Sequence, residues 1–134
     1  MTQKIPTERE VLRCIYNMYA ASFPIATSGV CTVMIETDIE AMAVKLRCDK
    51  HMLFGYLYYH LDHKHCYKNG EHSYVHLFAP KVGSINNAVN LPYLAAILAS
   101  ADQEHSKFIW SLGVSLVALA LSVGAIVAQL IIAN

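Results

Sequence analysis

The sequence predicts an α+β protein in which a small domain of helices and a β-hairpin precedes an amphipathic helix and one C-terminal transmembrane α-helix. Apolar residues recur at helical spacing in residues 7–21 and 37–61, and the hairpin dipeptide Asn69-Gly70 follows them. No charged residue lies between Phe108 and Ala133. At ~1.5 Å per helical residue that run is ~39 Å long, which exceeds the ~30 Å hydrocarbon core of a bilayer.

The N-terminal sequence and the cysteine spacing predict a cytoplasmic domain, and the balanced charge gives no general attraction to polyanions. Ten basic residues balance ten acidic ones among the 134 residues. The polar start MTQKIPTERE has no secretory signal, and the four cysteines form no C-x-x-C pair. We therefore expect free thiols and a single-pass protein of a bacterial inner membrane, with residues 1–107 in the cytoplasm.

Three predicted helices have N-terminal capping signals. Thr7 with Glu10, and Thr37 with Glu40, match the capping-box pattern, and Asp49 precedes the third helix. A short β-prone run, VCTVMI, lies between the first two helices at residues 30–35. The order is thus helix, strand, helix, tight break and helix.

The hairpin and the segment after it complete the predicted domain. A two-residue type I′ turn at Asn69-Gly70 would pair Lys68 with Glu71 and extend back to pair His63 with His76. Residues 81–90 contain turn-forming residues and are expected to be a linker. Residues 91–107 form a predicted juxtamembrane helix with Leu91, Leu94, Leu98 and Ala101 on one stripe.

This order resembles a winged-helix domain, a helix-turn-helix followed by a two-stranded wing. The resemblance covers residues 7–80 and rests on the stretch TDIEAMAVKLRCDKHMLFGYLYYHL and on the hairpin. It implies that the third helix enters the DNA major groove and that the wing contacts the DNA backbone or minor groove. The residues then expected to contact DNA are Lys45, Arg47, Lys50, His51, Tyr58, Tyr59, Lys64 and Lys68.

The predicted hairpin concentrates histidines on one face. Strand alternation would place His63, His65, His72 and His76 together, with Cys66 on the opposite face. Three interpretations remain open: a solvated wing surface, a transition-metal site such as zinc, and a switch driven by histidine protonation. We expect no cofactor unless zinc binds these four histidines.

The predicted transmembrane helix carries a seam of small and polar residues. Its members follow a heptad spacing, with Gly124 on an adjacent small-xxx-small line. Such surfaces allow helices to approach closely, so we expect homo-oligomerisation through this helix. The predicted contact residues are Ser111, Ser115, Ala118, Ser122, Gly124, Ala125 and Gln129.

No catalytic spacing is present, so we expect a protein that is not an enzyme. The favoured hypothesis is a membrane-tethered winged-helix transcriptional regulator that binds DNA. One alternative is a small membrane-acting effector of a phage, plasmid or antiviral system, whose winged helix binds a protein partner. Another is a scaffold that brings a partner protein to the membrane.

Overall fold

The computed structural model describes residues 4–23 and 33–134. The chain divides into two units: residues 1–99, called the head, and residues 100–134, called the tail. The predicted α+β class is confirmed. The helices and strands, in chain order, are α1 Glu8–Tyr19, a 3₁₀ turn Ala20–Ser22, β1 Met34–Glu36, α2 Ile39–Leu46, α3 Lys50–Gly55, a π-helical segment Tyr56–Asp62, α4 His63–His65, β2 Tyr67–Lys68, β3 Tyr74–Val75, β4 Phe78–Val82, β5 Ile85–Asn90 and α5 Leu91–Ile132. Residues 50–65, where α3, the π-helical segment and α4 follow one another, are called the composite helix.

Two of the three predicted helix caps are confirmed. The Thr7 hydroxyl accepts a hydrogen bond from the Glu10 amide, and the Glu10 carboxylate accepts one from the Thr7 amide at 2.8 Å. Asp49 Oδ1 accepts hydrogen bonds from the His51 and Met52 amides at 2.8 and 3.1 Å. Each cap satisfies amides that have no partner within their own helix.

The predicted capping box at Thr37 and Glu40 is wrong by one residue. Asp38 caps α2 by accepting a hydrogen bond from the Ala41 amide at 3.0 Å. The buried Thr37 hydroxyl instead donates to the Asn87 carbonyl at 2.6 Å. This contact with β5 is tertiary, so a local pattern could not predict it.

Residues 81–90 are not a linker, because most of them belong to a three-stranded antiparallel sheet in the order β1–β5–β4. Val82 pairs with Ile85 across the two-residue turn Gly83-Ser84, where Gly83 has a φ of 58°. Glycine adopts this left-handed conformation without the steric cost of a side chain. On the other side of β5, Ile35 of β1 pairs with Val89. Part of the predicted strand at 30–35 is confirmed in β1, while residues 30–32 lie outside the described residues.

The predicted register of the first hairpin is also wrong. Lys68 pairs with Tyr74, not Glu71, and the Asn69 amide donates to the Ser73 carbonyl at 2.7 Å. A type I′ turn needs positive φ at both central residues, but only Gly70 of the Asn-Gly pair has it, at 99°. Residues 63–65 are helical, so the strand does not extend back to His63.

The core of the head includes the beginning of α5. Leu91, Leu94 and Leu98, which were predicted to share one stripe, are buried with leucines of the composite helix and apolar residues of α1. Asn90 caps this end of α5, since its side-chain oxygen accepts a hydrogen bond from the Tyr93 amide at 3.1 Å. The compact unit therefore continues well past residue 80, the predicted domain end.

The tail consists of the remainder of α5 and has exposed apolar side chains along its length. Within the described residues, α5 is the one helix long and apolar enough to cross a membrane, with a mean hydropathy of 2.4 in its most apolar window. The predicted C-terminal apolar helix is thus confirmed as a helix.

Candidate nucleic-acid interface

The composite helix exposes two tyrosines because its leucines occupy the opposite side. Leu53, Leu57 and Leu61 recur every four residues and are at most 2% exposed. Tyr58 and Tyr59, between them in sequence, are 40% and 75% exposed. Both lie in the π-helical segment, a type of helix that is rare and frequently found at functional sites.

A groove of about 730 Å³ separates these tyrosines from β4. Tyr58, Tyr59 and His63 line its helical side, and Pro80, Lys81 and Val82 line its strand side. We call this feature the helix–strand groove. It combines aromatic rings, a histidine and a lysine ammonium, which are groups suited to stacking on bases and to contacting phosphates.

Asp62 holds β4 against the composite helix. Its carboxylate is almost fully buried, and Oδ1 accepts hydrogen bonds from the Leu77 and Phe78 amides at 2.9 and 3.1 Å. Oδ2 lies 2.9 Å from His76 Nδ1. A single side chain therefore binds the amides at the start of β4 and connects this strand to the composite helix.

A second ionic cluster joins the end of the composite helix to α1. Glu8 accepts a hydrogen bond from Lys64 Nζ at 2.6 Å, and its other oxygen lies 2.6 Å from His65 Nε2. Burial raises the pKa of Glu8, but the hydrogen bonds and positive charges of Lys64 and His65 outweigh it, so the pKa lies below its ordinary value. Tyr93 adds to this junction by donating to the His65 carbonyl at 2.6 Å.

Replacing Glu8 with Gln should weaken this junction in a pH-dependent way. Because the folded state lowers the pKa of Glu8 below 4.5, its carboxylate stabilises the head fully above pH 4.5 and progressively less as the pH falls through the folded-state value. We expect Glu8→Gln to cost about 1 kcal/mol at neutral pH and the difference from wild type to shrink in acid. Urea unfolding of both proteins across this pH range measures it.

Glu40→Gln is the matched control, since Glu40 is exposed and lies 3.7 Å from Lys50. It should change stability little at any pH. If the difference in the free energy of unfolding between Glu8→Gln and wild type stayed constant from neutral to acid pH, the role assigned to the carboxylate would be contradicted.

The structure does not bring the predicted DNA-contacting residues to one surface. Tyr58 and Tyr59 line the helix–strand groove, whereas Lys45 and Arg47 line a separate groove beside α1. The remaining four are distributed along the chain: Lys50 at the start of the composite helix near Glu40, His51 beside it, Lys64 in the cluster with Glu8, and Lys68 on β2.

The shared histidine face does not form. His63 and His65 are helical, His72 lies in the loop between β2 and β3, and His76 contacts Asp62. Among residues 4–23 and 33–134 there is no group of three or more His, Cys, Asp or Glu arranged to hold a metal ion. The geometric basis of the predicted zinc site is therefore absent from this part of the chain.

The predicted oligomerisation seam lies on an exposed helix, and two of its serines donate hydrogen bonds within that helix. Ser115 Oγ donates to the Ser111 carbonyl at 2.9 Å, and Ser122 Oγ donates to the Ala118 carbonyl at 2.8 Å. These hydroxyls add little polarity to the surface, so close packing of small side chains remains its main contribution to helix pairing. Ala125 and Gln129 lie on the same exposed stretch, and a Cβ added at Gly124 would meet no other atom.

Sequence reasoning did not assign Lys81 or Asp62 to the candidate site, and it assigned His76 only to the histidine face. Lys81 had a detectable signal, because Val82-Gly83-Ser84-Ile85 is a two-residue hairpin pattern of the Gly-Ser type. Asp62 had none, since its partners lie 14 to 16 residues away in sequence. No family model, curated protein or solved structure matches this chain.

Proposed function

We propose that this protein is a membrane-anchored winged-helix regulator that binds DNA through the helix–strand groove. The order α1, β1, α2, composite helix, β4 and β5 resembles a winged-helix domain in which β4 and β5 form the wing. The hairpin of β2 and β3 is then an insertion between the composite helix and the wing. This assignment moves the wing from residues 63–78, where the sequence suggested it, to residues 78–90.

The observation that carries the proposal is the arrangement of Tyr58, Tyr59 and Lys81 around one groove. In winged-helix proteins the third helix and the wing bind the DNA duplex together. Here the composite helix and β4 form the two sides of the groove. Lys81 provides a phosphate contact, and the tyrosines provide flat contact area on the helix.

The composite helix has few side chains that could read the DNA sequence directly. Lys50 and Lys64 are near Glu40 and Glu8, and residues 50–65 contain no Arg, Asn or Gln for bidentate contacts with bases. Specificity would then depend on DNA shape or on the pairing of two heads. Pairing through the tail seam would provide this second head, and the bilayer would hold both.

Lys81→Gln tests the groove directly. It should lower DNA affinity and reduce the slope of log affinity against log salt by about one unit, since one phosphate contact is lost. Fluorescence anisotropy of labelled duplex DNA with the full-length chain in nanodiscs measures both quantities.

Lys68→Gln removes the same charge from β2, outside the helix–strand groove, and should leave affinity and slope nearly unchanged. Equal effects of the two substitutions would mean that binding follows overall charge, and the groove assignment would fail.

A second function, a protein-binding head, is favoured by the exposure of Tyr58 and Tyr59. Tyrosines are enriched among the residues that dominate protein interfaces. A membrane effector or a scaffold would use the groove in this way. Tyr59→Ala would then abolish co-purification of one stoichiometric partner, while Lys81→Gln would affect it little.

A further inference from the structure

An apolar cavity of about 260 Å³ lies beside the composite helix, away from the helix–strand groove residues. Its lining is almost entirely apolar and includes Ile5, Pro6, Cys48, Met52, Leu53 and Tyr56. Ile5 and Met52 are 71% and 51% exposed, so two large apolar side chains border it while facing water. An apolar ligand that displaced water here would gain stability from the hydrophobic effect.

A basic groove of about 430 Å³ adjoins this cavity. Its lining includes Lys4, Lys45, Arg47 and one carboxylate, that of Glu10, which pairs with Lys4 at 2.6 Å. Hydrogen bonds from Lys4 and from the Thr7 amide hold the pKa of Glu10 at about 2, so this carboxylate remains charged and already has partners. Positive charge is therefore in excess along the groove.

Lys4 and Pro6 line both spaces, which places an apolar cavity directly beside a cationic groove. We propose that the two spaces together bind a single-chain fatty acid, with the chain in the apolar cavity and the carboxylate between Lys45 and Arg47. Arginine guanidinium groups match carboxylate geometry with paired hydrogen bonds. The cavity is smaller than the ~300–1,000 Å³ typical of ligand pockets, so it accommodates part of one chain and excludes a two-chain lipid.

The site is independent of the proposed DNA function, because its residues do not line the helix–strand groove. Met52, Leu53 and Tyr56 nevertheless belong to the same composite helix as Tyr58 and Tyr59. An occupied cavity would thus contact the first half of the helix whose second half lines the groove.

Photo-crosslinking tests the proposal with the full-length chain in nanodiscs of zwitterionic lipid. The probe is a fatty acid with a diazirine near the chain end, and adducts are located by peptide mass spectrometry. We expect adducts on the peptides that contain Ile5, Cys48 and Met52. Excess laurate should compete, whereas dodecyltrimethylammonium, with the same chain length and the opposite charge, should not.

Two variants address the two halves of the site. The double variant Lys45→Gln, Arg47→Asn removes the two positive charges proposed to bind the carboxylate. Asparagine tolerates the left-handed backbone at position 47, where φ is 55°. Met52→Trp fills the cavity from a half-exposed position. Each should reduce labelling of the head about tenfold, with an unchanged far-UV circular dichroism spectrum, while Lys81→Gln should not reduce it.

Three results would overturn the proposal. One is labelling confined to residues 108–132, which shows only partitioning into the bilayer. The second is equal competition by the cationic amphiphile, and the third is undiminished head labelling in both variants.

Discussion

Replacing Asp62 with Ala should lower the free energy of unfolding of the head by about 3 to 5 kcal/mol. The substitution removes the acceptor for the buried Leu77 and Phe78 amides and the partner of His76. Each buried donor left without a partner costs about 1–3 kcal/mol, and the Asp62 carboxylate is almost fully buried. β4 should detach from the composite helix before the rest of the head unfolds.

Urea unfolding followed by the near-UV circular dichroism of the tyrosines measures this effect in the head. All eight tyrosines lie in residues 1–99, whereas the single tryptophan is Trp110 in the tail. Asp49→Ala serves as the control, because Asp49 also accepts two amide hydrogen bonds but does so at an exposed helix start. If both substitutions destabilise the head equally, the burial of Asp62 is not what makes it important.

Placing arginines at Val117 and Leu121 should remove the protein from membranes. Both residues lie near the middle of the uncharged run, and both are exposed on α5. An arginine at the centre of a transmembrane helix costs about 2.5–3.5 kcal/mol on insertion scales, so two should shift most of the protein from the membrane to the soluble or aggregated fraction. Resistance to alkaline carbonate extraction measures the inserted fraction.

Ile132→Arg adds a similar charge at the end of the helix and should be tolerated, since an arginine there extends to the interface. If the Val117 and Leu121 variant stayed in the carbonate-resistant fraction, α5 would not be embedded in a bilayer. The helix would then be a surface for association between protein chains.

Local signals in the sequence predicted the parts of the head that depend on local chemistry. Thr7 and Asp49 cap helices because their side chains reach amides two or three residues away. Leu91, Leu94 and Leu98 were predicted to share one face, because helical periodicity alone places them there. The hydrophobic, uncharged run similarly predicted the tail helix.

The candidate interface was harder to predict because long-range contacts determine its structure. The composite helix continues to His65, and its last two residues, Lys64 and His65, contact Glu8. These contacts join residues that are 56 and 57 positions apart in the sequence. That continuation removes the strand on which the histidine face depended. The hairpin of β4 and β5 was missed because residues 81–90 were interpreted as a linker, although the turn Gly83-Ser84 joins two strands that bury Phe78, Ala88 and Val89.

The most direct test of the proposed function is a salt titration of DNA binding by the full-length chain in nanodiscs, with sequencing of the genomic fragments that remain bound. The full chain is needed because Leu91, Leu94 and Leu98 of α5 belong to the core of the head. The proposal predicts retention of a few related sites, with affinity that falls as salt rises and a smaller salt dependence for Lys81→Gln. Retention of only weak, sequence-independent background, equal in wild type and Lys81→Gln, would contradict it.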